Sequence, residues 1–254
     1  MIGAFKFNDI DSSSFELICK SVKRPLLPAK KNKRVNIASV SGVYDFPDNE
    51  YDIRYINMSI TYLGKSFDEL RSRAREIANW LSASDWCKLI INDESDKYYL
   101  AKVVDEIDLD TMLEAGIAEI SFECQPFAYS VENSIHMVNI QGEEGELNFT
   151  NNGTRVINYL CPIGSMSKVY VEGSWDSINI AINDKNIDYN YSSSGLLMID
   201  NIEMEIMLNS ESIFKDVSGD IDSFFHINSG DNYMMVTGSN LNVKVSIEYI
   251  PMWL

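Results

Sequence analysis

Apolar Ile56, Met58, Ile60 and Tyr62 alternate with polar Asn57, Ser59 and Thr61, and this period of two predicts a half-buried strand. The period then lengthens. Phe67, Leu70, Ala74, Ile77, Ala78 and Leu81 recur at steps of three and four, which predicts an amphipathic helix ending near Ser82, with Arg71, Arg73, Arg75 and Glu76 mostly on its other face. Ser66 and Glu69 have the spacing of a capping box at its start. Beyond the helix, Leu89-Ile90-Ile91 and Tyr98-Tyr99-Leu100-Ala101-Lys102-Val103 flank a polar stretch, the pattern of a hairpin. Ala118, Ile120, Phe122 and Cys124 mark one face of a further strand running into Pro126, which has no N–H to give a central ladder.

The pattern changes after residues 123–129. From there short strands follow one another without a helix: Ile178, Ile180 and Ile182; Ile202, Met204, Ile206 and Leu208; Leu241, Val243, Val245, Ile247 and Tyr249. Turn residues separate them at Asn151-Asn152-Gly153, Asn183-Asp184, Ser192-Ser193-Ser194-Gly195, Ser229-Gly230-Asp231-Asn232 and Gly238-Ser239-Asn240. The expected fold is α+β and mainly β: a sheet with one long helix in residues 1–130, then a β-sandwich or jelly roll in residues 131–254. Two domains suit a chain of 254 residues, since one domain takes roughly 150. Pro126, Phe127 and Tyr129 are the expected packing residues of the junction.

Charge divides the chain at the same place. Residues 1–130 hold 16 basic and 21 acidic side chains, residues 131–254 only 5 and 17. So acidic a second half argues against a nucleic-acid-binding surface, because duplex affinity rests on Lys and Arg neutralising phosphates. The basic residues of the first half concentrate in 23–34, a segment made irregular by Pro25 and Pro28. It reads as a loop or as an arm, with Lys30, Lys31, Lys33 and Arg34, that docks on an acidic neighbouring surface. No apolar run approaches the roughly 20 residues of a membrane-spanning helix, and the start of the chain predicts no secretory leader.

Candidate chemistry is sparse. Cys19, Cys87, Cys124 and Cys161 lie far apart and form no zinc-ligand pattern with His136 or His226; they read as free thiols. Both histidines sit in strand patterns. Glu203 with Glu205, or Asp220 with Asp222, could be written as a glycosidase pair, but a chain with 38 acidic residues generates such pairs by chance. Asp216, Asp220, Asp222 and Asp231 occupy turn-rich surroundings that suit calcium, although the EF-hand loop is missing. No phosphate-binding glycine loop occurs. Neither a catalytic set nor a cofactor is expected. Trp175, Tyr189, Tyr191, Tyr233 and Trp253 are core aromatics or, on an exposed face, a platform for sugar rings; the second alternative makes the protein a carbohydrate-binding adhesin.

A set of motifs in fixed order carries a resemblance. Phe5-Lys6-Phe7-Asn8-Asp9, Arg24-Pro25-Leu26-Leu27-Pro28, Gly42-Val43-Tyr44-Asp45-Phe46, the helix from Ser66 to Leu81, Tyr98-Tyr99-Leu100-Ala101 and Cys124-Gln125-Pro126-Phe127-Ala128-Tyr129 follow one another. Ile199-Asp200-Asn201, Val217-Ser218-Gly219-Asp220, Ser229-Gly230-Asp231-Asn232 and the ending Ile247-Glu248-Tyr249-Ile250-Pro251-Met252-Trp253-Leu254 continue the series. Together they resemble the distal tail (Dit) protein family of long-tailed, non-contractile bacteriophages. The resemblance implies a non-enzymatic, homohexameric ring at the distal end of the virion's tail, assembled in the host cytoplasm. Its second domain would be a galectin-like β-sandwich. Its partners would be the tail tube protein, the tail-tip protein and receptor-binding proteins, with DNA passing through the ring ungripped. The chain has no room for the extra carbohydrate-binding module of some larger members. Contacts between copies are expected from the arm Lys30, Lys31, Lys33 and Arg34 and from the strand at 56–62, as an exposed edge ready to pair.

Overall fold

The computed structural model describes residues 3–36, 38, 41–42, 44–63, 66–104 and 117–254; the side chains of 32–34, 44–49, 67, 69 and 70 lie outside that description. Two compact units divide the chain, Met1–Val131 and Glu132–Trp253. The first contains β1 (Phe5–Phe7), β2 (Ile10–Asp11), β3 (Leu17–Lys23), β4 (Lys30–Val35), β5 (Tyr44–Tyr51), β6 (Arg54–Tyr62), α1 (Phe67–Leu81), β7 (Cys87–Ile91), β8 (Lys97–Val103) and β9 (Ile117–Ser130). The expected strand, helix and hairpin are therefore present. The capping box cannot be placed, because the Glu69 side chain is outside the described residues, as are those of Phe67 and Leu70.

The main sheet of this unit runs β2-β1-β7-β8-β9-β6-β3, with β4 and β5 forming a separate two-stranded sheet. Gly3 bridges Cys19 of β3 with hydrogen bonds of 2.8 and 3.3 Å, so the two ends of the main sheet meet. Alternation on β6 and β9 places Ile56, Met58, Ile60, Ala118, Ile120, Phe122 and Cys124 in the core. Helix α1 contributes Ile77, Trp80 and Leu81 to buried surface, whereas Ala78 is exposed. Trp80 anchors the helix. Its ring stacks on Phe5 and Phe15 at 5.7 and 4.9 Å, and its Nε1–H donates to the Phe7 carbonyl at 2.8 Å.

Two expectations for this unit need correction. Pro126 does not end its strand: β9 continues to Ser130, and a register shift against β8 between Tyr99 and Ala101 absorbs the residue that cannot join the ladder. Nor does β6 offer a free edge for contacts between copies, since β3 pairs with one side and β9 with the other.

The second unit is all β: β10 (Ser134–Asn151), β11 (Ser167–Trp175), β12 (Ser177–Ile182), β13 (Lys185–Tyr189), β14 (Ser193–Asp200), β15 (Glu205–Leu208), β16 (Glu211–Ser212), β17 (Val217–Gly219) and β18 (Gly230–Tyr249). They join in one curled sheet. The order is β16-β15-β14-β11-β18-β12-β13-β17, with β10 on the other side of β18. Strand β18 carries two wings, pairing with β12 through Met234–Ser239 register positions and with β11 from Asn242 to Tyr249. Gly238-Ser239-Asn240 is thus a bend inside one long strand and not a turn between two. At the bend Gly142, with φ +114°, and Asn240, with φ 53°, break the β10–β18 register. The buried positions consequently switch from Met234 and Val236 to Leu241, Val243, Val245, Ile247 and Tyr249. An odd-numbered step of this kind keeps apolar side chains on the core side as the strand changes direction. Ile202 and Met204, expected on a strand, lie instead in the turn that precedes β15.

Candidate assembly surfaces

The basic arm has a fixed root and a regular tip. Arg24, directly after β3, sends Nη2 to Asp93 Oδ2 at 2.7 Å and Nη1 to Glu94 Oε2 at 3.3 Å, on the short turn between β7 and β8. Lys97 holds Glu94 from the other side at 2.8 Å. Past this clamp, Leu26 and Leu27 stand 89% and 61% exposed between Pro25 and the buried Pro28. The Ala29 carbonyl accepts from the Asp52 N–H at 2.7 Å, closing the base of the β4–β5 hairpin.

The irregular arm expected over 23–34 is irregular only between β3 and β4. Within β4, Lys31 reaches Glu50 at 3.3 Å and the Lys30 ammonium lies 6.0 Å from the centre of the Tyr51 ring. Arg34 is paired in register with Asp45, while the side chains of Lys33 and Arg34 lie outside the described residues. The acidic strand β5 thus answers part of the charge of β4.

Pro126, Phe127 and Tyr129 are buried in β9. Phe127 meets Tyr51 edge-on at 5.9 Å, and Tyr129 stacks on Tyr98 at 5.3 Å. The Pro126 carbonyl accepts a hydrogen bond from Nη2 of Arg54. Arg54 is 4% exposed, lies over the Tyr99 ring at 5.6 Å, and leaves its Nε without a hydrogen-bond partner. Burial lowers its pKa. Arg24, Arg54 and Trp80 are the anchoring residues that periodicity did not reveal. Only the isolated arginine at the head of β6 was a visible signal, as a charge where the alternation calls for an apolar side chain.

His136 and His226 have separate surroundings. His136 packs between Phe149 and Tyr249, its ring centre 5.3 and 5.9 Å from theirs, and burial pushes its pKa down. His226 Nε2 is 3.0 Å from Asp184 Oδ1 at the surface. Glu203 lies in the turn and Glu205 begins β15, so the two do not share a strand face. Asp220 is occupied by the Asn186 N–H at 2.9 Å and by Lys185 at 3.3 Å, which together hold its carboxyl below the usual range. Among the described residues no group of three or more His, Cys, Asp or Glu side chains could hold a metal ion, and the four cysteines are free thiols.

The aromatics divide. Trp175 and Tyr189 are core residues, 2% and 7% exposed, whereas Tyr191 and Tyr233 face outward. The Tyr233 hydroxyl donates to Glu146 at 3.0 Å.

Residues 10–124 match the family model of the phage tail protein RIFT-related domain. The chain also has the fold of SPP1 Dit (gp 19.1), described as a paradigm of the hub adsorption apparatus in phages infecting Gram-positive bacteria. The match covers 100% of both chains with a TM-score of 0.74 at 13% identity. Chains of the phage p2 baseplate in its activated conformation match more loosely: TM-scores are 0.46 with Sr and 0.47 with Ca, at 10% identity, and at least 98% of each chain is covered. No curated protein sequence matches.

Proposed function

For a chain whose residues 10–124 match the phage tail protein RIFT-related domain, we propose the role of a distal tail hub. Copies of the first unit form a ring, hexameric as in the family it resembles, and the second units extend from it as galectin-like modules. The ring joins the tail tube protein to the tail-tip protein and seats receptor-binding proteins. It lies at the distal end of the virion's tail, is assembled in the host cytoplasm, and catalyses no reaction. Pro126, Phe127 and Tyr129 serve as the junction between ring domain and module.

One observation carries this reading: the whole chain, both units included, follows the fold of a Dit hub protein with nothing left over. Of the aromatics an adhesin could use as platforms, Trp175 and Tyr189 are in the core, which leaves only Tyr191 and Tyr233 facing outward.

Electron microscopy and native mass spectrometry of the purified protein test the proposal. Closed rings with a central channel are expected. A monomer at all concentrations that binds components of a glycan array would replace the hub with the adhesin.

A further inference from the structure

Strand β10 is 18 residues long and, among the described residues, is hydrogen-bonded along one side only, to β18. Its other side presents unpaired backbone donors and acceptors, a ready template for another strand. Just at and beyond the bend this free edge carries Glu143, Glu144 and Glu146, all exposed. Glu143 and Glu144 have no cationic partner among the described residues. The same chain has a second free edge of opposite charge. Among the described residues strand β4 pairs only with β5, and it holds Lys30, Lys31, Lys33 and Arg34 within its six residues.

We propose that β4 of one copy adds to the free edge of β10 in the next copy, over residues 143–148, so that the basic strand lies along the three glutamates. The inference rests on the ring reading and adds to the contacts between first units a second one, between the first unit of one copy and the second unit of the next. The two edges differ in sequence and charge, so the contact is head-to-tail, as a cyclic ring requires. Main-chain hydrogen bonds supply affinity in such strand addition, and side chains supply the choice of partner.

Two features of these edges bear on the energetics. Part of the charge on β4 already meets β5, but the Lys31–Glu50 pair has side chains 52% and 65% exposed, and pairs so open to solvent are easily exchanged. Glutamates at an edge also act as guards, repelling a second acidic edge. Guarding alone and reception of a basic strand make opposite predictions when the charges are exchanged.

The experiment compares ring formation by native mass spectrometry in four full-length proteins: wild type, E143K/E144K/E146K, K30E/K31E/K33E, and the sextuple combination. Each triple reversal is expected to raise the subunit concentration needed for rings by about tenfold or more, and the combination is expected to restore them. Circular dichroism checks each fold, and E143Q/E144Q/E146Q, predicted to weaken rings without adding charge, replaces the lysine variant if that one misfolds. Rings unchanged in either reversed protein, or no recovery in the combination, would overturn the pairing while leaving the ring itself standing. Absence of rings in the wild type would instead remove the hub reading, and the pairing with it.

Discussion

At the residue scale, His136 shows how burial sets a pH response. Its ring lies against Phe149 and Tyr249, and burial alone depresses its pKa from 6.5. The unfolded chain therefore takes up the proton first as pH falls, so the contribution of this residue is complete above about 6.5 and declines below it. The thermal midpoint should fall on acidification through this window, and His136→Phe should flatten that first phase. A second phase, in the carboxylate range, belongs to groups such as Asp220, whose pKa is lowered by the Asn186 N–H and by Lys185. An unchanged first phase in the Phe variant would show that another group titrates there. Gly173 makes a different kind of demand. Its φ is +144° and an added Cβ would stand 2.1 Å from the Asn242 carbonyl oxygen, so Gly173→Ala should cost at least ~1–3 kcal/mol in denaturant unfolding. Neither property was legible in the sequence. His136 has an ordinary strand context, and a glycine's φ depends on which backbone approaches it.

At the scale of elements, local periodicity was a good guide wherever a segment buries one face against its neighbour, as in β6, α1 and the β7–β8 hairpin. It failed where geometry depends on distant partners. Gly238-Ser239-Asn240 has turn chemistry, yet β10 runs alongside and holds both halves of β18 in one ladder, so the turn becomes a bend. Lys30, Lys31, Lys33 and Arg34 read as an irregular basic arm because nothing local announces β5 as their partner. The root of that arm was equally hidden: Arg24 finds Asp93 and Glu94 some seventy positions away. Its two ion pairs are partly open to solvent, so Arg24→Ala should lower global stability by no more than about 1 kcal/mol. The larger effect should be local, as faster amide exchange over residues 26–31 and easier proteolysis next to Leu26 and Leu27. Equal exchange in the variant and the wild type would mean that Pro25, Pro28 and the Asp52–Ala29 hydrogen bond hold the root unaided.

At the scale of the whole molecule, the charge distribution limits what the proposed channel could do. The net charge is −17, and the second unit holds only five of the 21 basic side chains. The densest basic segment does not stand alone, because β4 is paired with a strand carrying Asp45, Asp48 and Glu50. Grip on a duplex comes from cations that displace condensed counterions, and it weakens steeply with salt in proportion to the number of phosphates neutralised. A wall with few uncommitted cations has little to release. The protein should therefore leave the electrophoretic mobility of double-stranded DNA unchanged, even at the low ionic strength that favours non-specific binding. A salt-sensitive retarded band would show that assembly gathers Lys and Arg side chains on a surface facing the duplex. Substituting Lys30, Lys31 and Lys33 together would then identify whether the hairpin supplies them: loss of the band would place β4 beside the DNA and make it unavailable for pairing with β10. The mobility measurement thus tests the proposed ungripped passage of DNA and, through the same three lysines, the proposed contact between subunits.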